Sequence, residues 1–201
     1  MKLDQIISAR RSIKSYHPDY SLTDEEVTKL LTNAMLAPTS FNIQHWRFVR
    51  VTDKVIRTRL RAEAWDQSQV TDASELFIVT ADINAWKVRP ERYWANTDKE
   101  KQQTIVNMLT DFYDGREWLQ RDEAVRSGAL AAQNLMLTAK SMGYDACPMI
   151  GFDQEAVADI INLPEAHLIV MMIAVGKASD VAWPRGGQLP LETVLIENCF
   201  D

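Results

Sequence analysis

The chain has few of the residues that mark secreted or metal-binding proteins. Only two of its 201 residues are cysteine, Cys147 and Cys199, and they stand far apart in no Cys-x-x-Cys spacing. Two distant thiols predict no disulfide framework and are typical of an intracellular protein. The three histidines, His17, His45 and His167, are scattered along the chain. We therefore expect packed or surface histidines and no metal.

Long hydrophobic runs and a strong positive charge are also missing. The longest apolar run, residues 168–175, is far too short to cross a bilayer and is typical of a buried strand. Lys2, Asp4, Arg10 and Arg11 exclude a secretory signal at the start. The net charge of −6 provides no cationic field for nucleic acid. We expect a cytoplasmic protein with no membrane and no nucleic-acid partner.

Motifs of several well-known chemistries are absent as well. The chain contains no Gly-x-Gly-x-x-Gly, no Walker loop, no His-Glu-x-x-His and no Gly-x-Ser-x-Gly, so no independent dinucleotide-binding fold is indicated. With 201 residues, 46% of them hydrophobic, the chain is long enough to bury a substantial core. No linker or repeat divides it, and we expect a single domain over residues 1–201.

Hydrophobic periodicity predicts an α+β fold. Thr23 and Glu26 form a capping box at the start of a helix that Pro38 ends. The apolar residues on one face of this helix, expected to be buried, are Val27, Leu30, Leu31, Ala34 and Met35. Residues 122–142 have the pattern of one long helix, whose patch of small residues favours either a core helix or a dimer helix. Residues 84–126, rich in charge and aromatic rings, are expected to lie outside the sheet. Four core strands are predicted, at residues 46–52, 75–81, 145–150 and 167–175. The tail offers a fifth strand at residues 190–196.

The stretch Leu36–Phe48 joins that helix to the first strand and is rich in short polar side chains. Such side chains hydrogen-bond backbone groups and hold a loop in a fixed shape while presenting donors and acceptors outward. One interpretation is an ordinary helix-to-strand connection, and the other is a ligand-binding loop. The polar residues in question are Thr39, Ser40, Asn42 and Gln44.

A second stretch, Ala9–Tyr16, places Arg10, Arg11 and Lys14 within five residues, with Ser12 between them. The cations could answer the dipole at a helix C-terminus, or form a solvated basic face. They could also bind an anion, because arginine offers a planar fork, serine a short donor and lysine a point charge. In an acidic chain, such a local cluster favours a small anionic ligand.

The cationic stretch reads Ala-Arg-Arg-Ser-Ile-Lys-Ser-Tyr, and the polar stretch, about twenty-five residues later, reads Ala-Pro-Thr-Ser-Phe-Asn-Ile-Gln-His-Trp-Arg-Phe. In this order and at this spacing, the two stretches resemble the FMN-dependent nitroreductase family. The resemblance implies a nitroreductase-like fold, with a central, mostly antiparallel sheet of four to five strands flanked by helices. It further implies an intertwined homodimer, with two FMN sites at the interface and NADH or NADPH as electron donor.

The resemblance also assigns cofactor-binding roles. Arg10, Ser12 and Arg185 match positions that bind the FMN phosphate, and Lys14 matches a position beside the N1/O2 edge of the ring. Arg11 either contacts the phosphate through its backbone or faces solvent. The remaining matches are the loop that lines the partner's flavin (Pro38, Thr39, Ser40, Asn42 and Gln44), the pyrimidine edge (Gln69, with Gln67 as second choice) and the turn near N5 (Met149, Ile150 and Gly151).

Three positions depart from the family pattern. Asp66 stands where many relatives carry an uncharged side chain, and an acidic group near the ring would disfavour the reduced anion. Ile150 replaces a glutamate of some relatives, which makes the site drier. Gln188 stands where many members carry a second cation. Separately, Phe41, Phe112 and Tyr113 could roof a substrate pocket, although aromatic residues at such spacings are mostly core.

The resemblance predicts an oxidoreductase without a catalytic side chain, because the flavin carries the chemistry. Hydride would pass from NADH or NADPH through N5 to a nitroaromatic, quinone or similar acceptor, in ping-pong fashion. The alternatives are a flavin-binding sensor or storage protein, a relative with narrower chemistry such as dehalogenation or enone reduction, and a structural dimer without flavin.

Overall fold

The computed structural model describes residues 2–200, which form a four-stranded antiparallel sheet flanked by helices. The strands lie in the order β1-β2-β4-β3 and comprise β1 (Trp46–Arg50), β2 (Glu75–Asp82), β3 (Asp145–Met149) and β4 (His167–Gly176). The helices are α1 (Leu3–Ala9), α2 (Asp24–Ala34), α3 (Lys54–Glu63), α4 (Gln69–Asp72), α5 (Lys99–Tyr113), α6 (Glu117–Ser141), α7 (Gln154–Ile160) and α8 (Leu191–Val194), with 3-10 turns at Ser40–Asn42 and Pro90–Trp94. The predicted fold class is confirmed.

Strand β2 supplies side chains to the cores on both faces of the sheet. Leu76 and Ile78 pack against α3, α4 and α7, whereas Phe77 and Val79 pack against α2 and α6. All four side chains are fully buried. Successive side chains of a strand point to opposite faces, so a strand covered on both sides is apolar throughout rather than alternating.

Helix α6 begins at Glu117, earlier than predicted, and crosses the sheet with its small residues turned inward. A Cβ added at Gly128 would lie 2.6 Å from Cγ2 of Val170 on β4. No larger residue fits there without displacing the strand side chain. Ala131 and Ala132 beside it are fully buried. The core interpretation of the small-residue patch is therefore confirmed.

The start of α2 is as predicted, but its end differs. Glu26 N–H donates to Thr23 Oγ1 and Thr23 N–H donates to Glu26 Oε2, completing the capping box. The helix ends at Ala34, before Pro38, and Met35, expected on the buried face, is 51% exposed. Once the helical backbone ends, the 3.6-residue period no longer governs where a side chain points.

Two other predicted regions can be compared with the structure. Residues 84–126 lie outside the sheet, as expected, in the 3-10 turn Pro90–Trp94, in α5 and at the start of α6. The tail provides no fifth strand within the described residues, because it forms only the short helix α8. No helix in residues 2–200 has both the length and the hydrophobicity to cross a membrane.

One buried guanidinium joins three segments beneath the sheet. Arg57 of α3 donates from Nε to the carbonyl of Val51 at 2.9 Å, and its two terminal nitrogens donate to the carbonyls of Ala73 and Ser74. The side chain is 7% exposed. Burial lowers the pKa of Arg57, although a guanidinium stays protonated at neutral pH.

We expect Arg57→Met to destabilise the fold by about 3 kcal/mol, because it leaves three buried carbonyls without a donor. Urea unfolding at one protein concentration measures the loss. Arg59→Met is the matched control, since Arg59 lies on the exposed side of the same helix and should change stability by less than about 0.5 kcal/mol. Equal effects of the two substitutions would contradict the role given to Arg57.

Candidate functional site

The cationic stretch continues from the end of α1 as extended backbone. Helix α1 has no basic residue in its last turn, and Arg10 is its C-cap residue, in an extended conformation. The chain then runs parallel to the start of β3: Ser12 and Ala146 form a bridge, and Ile13 N–H donates to Ala146 O at 3.3 Å. Only Arg10 of the three cations therefore lies at the helix C-terminus.

Extended backbone gives this stretch two sides. Ile13 and Tyr16 are buried in the core, at 5% and 4% exposure. Ser12 and Lys14 flank Ile13 in this extended backbone, so their side chains leave from the side opposite to that of Ile13. Arg10, Ser12 and Lys14 line one cavity, which brings two cations and a hydroxyl together.

The C-terminal tail closes over this cationic side. Arg185 donates from Nη2 to the carbonyls of Ser8 and Arg10 at 2.9 and 3.0 Å. The Lys14 ammonium lies 5.0 Å from the centre of the Trp183 ring, and Arg11 donates to the Trp183 carbonyl. Arg11 therefore binds the tail, which neither of its two predicted roles included.

Both ends of the chain line one cavity of about 440 Å³. Because Arg185 binds the two carbonyls through Nη2 alone, its Nε and Nη1 make no hydrogen bond within residues 2–200. The side chain of Arg10 likewise has no hydrogen bond or ion pair in the described chain. Gln188 also lines the cavity. Trp183 was not among the sequence candidates, and its position directly before Pro184-Arg185 was the only signal for it.

A second group of predicted residues meets at the turn after β3. The side-chain nitrogen of Gln67 donates to the carbonyl of Gly151 at 2.9 Å, and Gln69 donates to Oε1 of Gln67 at 3.0 Å. Gln69 is buried at 2% exposure, whereas Ile150 is 73% exposed. Met149 is buried at 5% exposure.

The two residues before these glutamines have left-handed backbone. Trp65 and Asp66 have φ of 54° and 56°, and the Trp65 ring covers Gly151 so closely that a Cβ there would lie 2.6 Å from Cζ3. Asp66 accepts from Nε of Arg61 at 2.7 Å. The carboxylate that departs from the family pattern is thus paired with a cation of α3.

The polar loop is tied to the 3-10 turn Pro90–Trp94 and lies outside the cationic cavity. Phe41, Asn42 and Gln44 all have positive φ, between 49° and 57°. Asn42 Nδ2 donates to Tyr93 O at 2.9 Å, and Trp94 Nε1 donates to Phe41 O at 3.0 Å. Such strain concentrates at functional sites. The predicted residues Pro38, Thr39, Ser40, Asn42 and Gln44 do not line the cavity of their own chain.

The predicted aromatic roof is a packed cluster with one buried member. Phe41 and Phe112 have ring centroids 5.8 Å apart, and Phe112 meets Tyr113 edge-on at 5.3 Å. Tyr113 is fully buried and stacks on Trp86, and burial raises the pKa of its hydroxyl. Phe112, at 40% exposure, and the half-buried Phe41 are the members that could reach a ligand.

His45, directly after the polar loop, is fully buried. Its Nδ1 lies 2.9 Å from Ser127 Oγ on α6, and its Nε2 has no partner within residues 2–200. Burial lowers the pKa of His45 to about 4; the Asp82 carboxylate opposes this shift and Arg47 adds to it. The ring is therefore neutral at physiological pH and serves packing, as expected.

Comparison with known proteins identifies the family of the chain. The model of the nitroreductase family matches residues 7–177. The chain belongs to the nitroreductase family. It is similar to protein DrgA of Synechocystis, 50% identical over 94% of this chain and 92% of that protein. It is also similar to MhqN of Bacillus subtilis, assigned provisionally as an NAD(P)H nitroreductase, at 34% identity over 92% of this chain and 94% of that protein.

Solved structures of the nitroreductase family include a protein of Exiguobacterium sibiricum in complex with FMN, assigned provisionally as a nitroreductase. It superposes with a TM-score of 0.90 at 26% identity, covering 98% of this chain and 97% of that one. A protein of Bacillus subtilis, YdfN, superposes equally well at 32% identity, over 96% and 97% of the two chains. The predicted family and fold are confirmed.

The burial of neutral His45 predicts that the stability of the fold depends on pH. Its pKa of about 4 in the folded chain lies below the ordinary value of 6.5, so the folded state binds fewer protons than the unfolded chain between these values. This stabilisation is complete above pH 6.5 and is lost as the pH falls towards 4. Between pH 7 and 4.5 we expect a loss of roughly 2–3 kcal/mol from His45.

Urea unfolding at these two pH values measures that loss against His45→Asn, which keeps a polar atom facing Ser127 and does not titrate. On acidification the variant should lose roughly 2–3 kcal/mol less stability than the wild type. Parallel pH dependence in the two proteins would contradict the assignment.

Proposed function

We propose that this chain is an FMN-dependent NAD(P)H oxidoreductase that reduces nitroaromatic, quinone or similar acceptors. The observation that carries the proposal is the cationic cavity built from both ends of an acidic chain, where Arg10, Ser12, Lys14 and Arg185 meet. The FMN complex of the Exiguobacterium relative supports the identity of the ligand. The proposed enzyme is a single domain over residues 1–201.

The residues present fit a flavin phosphate. Arg185 keeps its Nε and Nη1 donors free while two carbonyls hold its Nη2 in place, so its guanidinium is oriented before a ligand arrives. Arg10 adds a second guanidinium, and Ser12 adds a hydroxyl from the same side of the extended stretch. A cavity of about 440 Å³ lies within the usual range of small-molecule sites.

The other groups would bind and orient the flavin ring. Bound FMN would supply the redox chemistry, hydride transfer at N5 with NADH or NADPH as donor. Lys14 contributes a positive charge beside the site, which would stabilise negative charge on a reduced ring. The exposed side chain of Ile150 makes the turn at Gly151 apolar. Use of one site by donor and acceptor in turn gives ping-pong kinetics.

We also propose a cytoplasmic homodimer in which each site is shared. The polar loop lies apart from the cavity of its own chain, which suits a loop that reaches the partner's flavin. The tail after Trp183 leaves large apolar side chains uncovered, and exposed apolar patches of this kind mark contacts with another protein. The exposed residues of the tail are Leu189, Leu191, Val194, Leu195, Ile196 and Phe200.

The first test is an anaerobic absorption spectrum of the purified protein, titrated with NADPH and then NADH. We expect a flavin spectrum that bleaches with one or both donors and returns when a nitroaromatic or quinone is added. A flavin that never bleaches would favour a sensor or storage protein. A protein that binds no FMN would overturn the proposal.

The phosphate assignment makes its own prediction. Arg10→Ala should weaken FMN binding by about tenfold to a hundredfold, because a charge-assisted hydrogen bond is lost. The substitution keeps the backbone carbonyl to which Arg185 donates. Quenching of flavin fluorescence measures the dissociation constant, with Arg59→Ala as a control of equal charge. Unchanged FMN affinity in Arg10→Ala would refute the assignment.

A further inference from the structure

A second cavity, of about 620 Å³, lies beside the start of α3. Its walls come from three segments of the chain: residues 18–21 before α2, residues between 52 and 58 that follow β1, and residues 71–74 before β2. None of its lining residues lines the cationic cavity. The second cavity is therefore a separate place, which the proposed flavin site does not account for.

Arg57 reaches the second cavity as a buried cation without a counterion. Its side chain lines the cavity and is only 7% exposed. Buried charges in proteins are normally paired with an opposite charge, yet none of the ion pairs within residues 2–200 includes Arg57. The carboxylate of Glu75, directly after this wall, is bound at both oxygens by Arg50 at 2.8 Å. Arg57 thus lacks an anion.

The guanidinium of Arg57 keeps donors for such an anion. It carries five N–H groups, and three of them donate to the carbonyls of Val51, Ala73 and Ser74. One N–H on each terminal nitrogen is left without a partner in the described part of the chain. The three bonds hold the guanidinium in place, so the two remaining donors are fixed before a ligand arrives.

Two further donors of the second cavity are also without a partner. Lys54 and Thr52 line it with exposed side chains, and neither makes a side-chain hydrogen bond or an ion pair within residues 2–200. Asp19 is the one carboxylate among the lining residues. Two cations therefore face one carboxylate, and this balance favours an anionic ligand.

The other polar groups around the cavity already have partners. The Ser74 hydroxyl donates to a backbone carbonyl of the loop before α2 at 2.6 Å, and the Thr58 hydroxyl donates to the Lys54 carbonyl at 2.9 Å. At the start of α3, the Asp53 carboxylate accepts from two backbone N–H groups at 2.7 and 2.9 Å. A ligand would therefore be bound by the free side chains and not by the helix N-terminus.

We propose that the second cavity binds the phosphoryl group of a small metabolite through Arg57, Lys54 and Thr52. A phosphoryl group carries three terminal oxygens, whereas a carboxylate has two. The paired N–H groups of Arg57 suit two oxygens of such a group, and Lys54 and Thr52 offer a charge and a hydroxyl to the third. The bound dianion supplies the counterion that Arg57 lacks. This inference does not depend on the proposed flavin.

The test is a titration of the protein with inorganic phosphate, followed by NMR of the backbone amides. Sodium chloride keeps the ionic strength constant, and acetate is titrated in parallel as a carboxylate. The amides of Ser21 and Ser74 report the second cavity. Those of Ser12 and Gly186 report the cationic cavity, so that phosphate bound there is measured separately.

Three variants accompany the wild type in this titration. Lys54→Gln removes a cation of the second cavity, and Asp19→Asn removes its carboxylate. Lys29→Gln is the control, because Lys29 is exposed on α2 and lines neither cavity. Arg57 itself is not replaced, since the three carbonyls that it binds would lose their donor.

We expect the amides of Ser21 and Ser74 to shift saturably with phosphate in the wild type and in Lys29→Gln, with equal dissociation constants. In Lys54→Gln the constant should rise by at least about threefold, and in Asp19→Asn it should fall by about twofold or more. Acetate should bind at least about threefold more weakly than phosphate. Opposite effects of the two variants cannot come from general damage to the fold.

Four results would contradict the proposal. Shifts of the Ser21 and Ser74 amides that do not saturate would show that no site is present, and an unchanged constant in Lys54→Gln would remove that residue from it. Equal weakening in Lys29→Gln would assign the effect to the net charge of the protein. Acetate binding as tightly as phosphate would overturn the assignment to a phosphoryl group.

Discussion

The site depends on a short extended segment that two buried side chains anchor in the core. Ile13 and Tyr16 enter the core, and the Tyr16 hydroxyl donates to the carbonyl of Ala174 on β4. The segment pairs with Ala146 at one end, and Tyr16 pairs with Ala178 beyond β4 at the other. It therefore joins the edge of the sheet to the start of the tail. Both ends of the chain meet at the cations for this reason.

The parts of the fold that depend on neighbours in sequence were predictable. The capping box at Thr23 involves two residues three apart, and the buried strand β2 is apolar over a few successive positions. Such signals are carried by local chemistry and need no knowledge of the rest of the chain. The prediction for Met35 was wrong because α2 stops one residue before it. The residue at which a helix ends is harder to predict from the sequence pattern than the existence of the helix.

The candidate site was predictable in its members but not in its connections. The motifs placed Arg10, Gln69 and Gly151 in one ligand site by resemblance. The bond from Gln67 to Gly151 spans 84 positions, and that from Arg11 to Trp183 spans 172. Pairings of this kind are decided by how strands and loops pack, and a pattern within one stretch cannot indicate them. The resemblance therefore named Gln67 only as a second contact, and not its bond to Gly151.

The contact between Trp65 and Gly151 has a consequence for how sequences of this kind can vary. A side chain at position 151 requires the indole to shift, since its Cβ would lie 2.6 Å from Cζ3. A smaller residue at position 65 would remove that conflict. Substitutions at the two positions are therefore coupled, and the two positions should covary among relatives that keep this loop geometry.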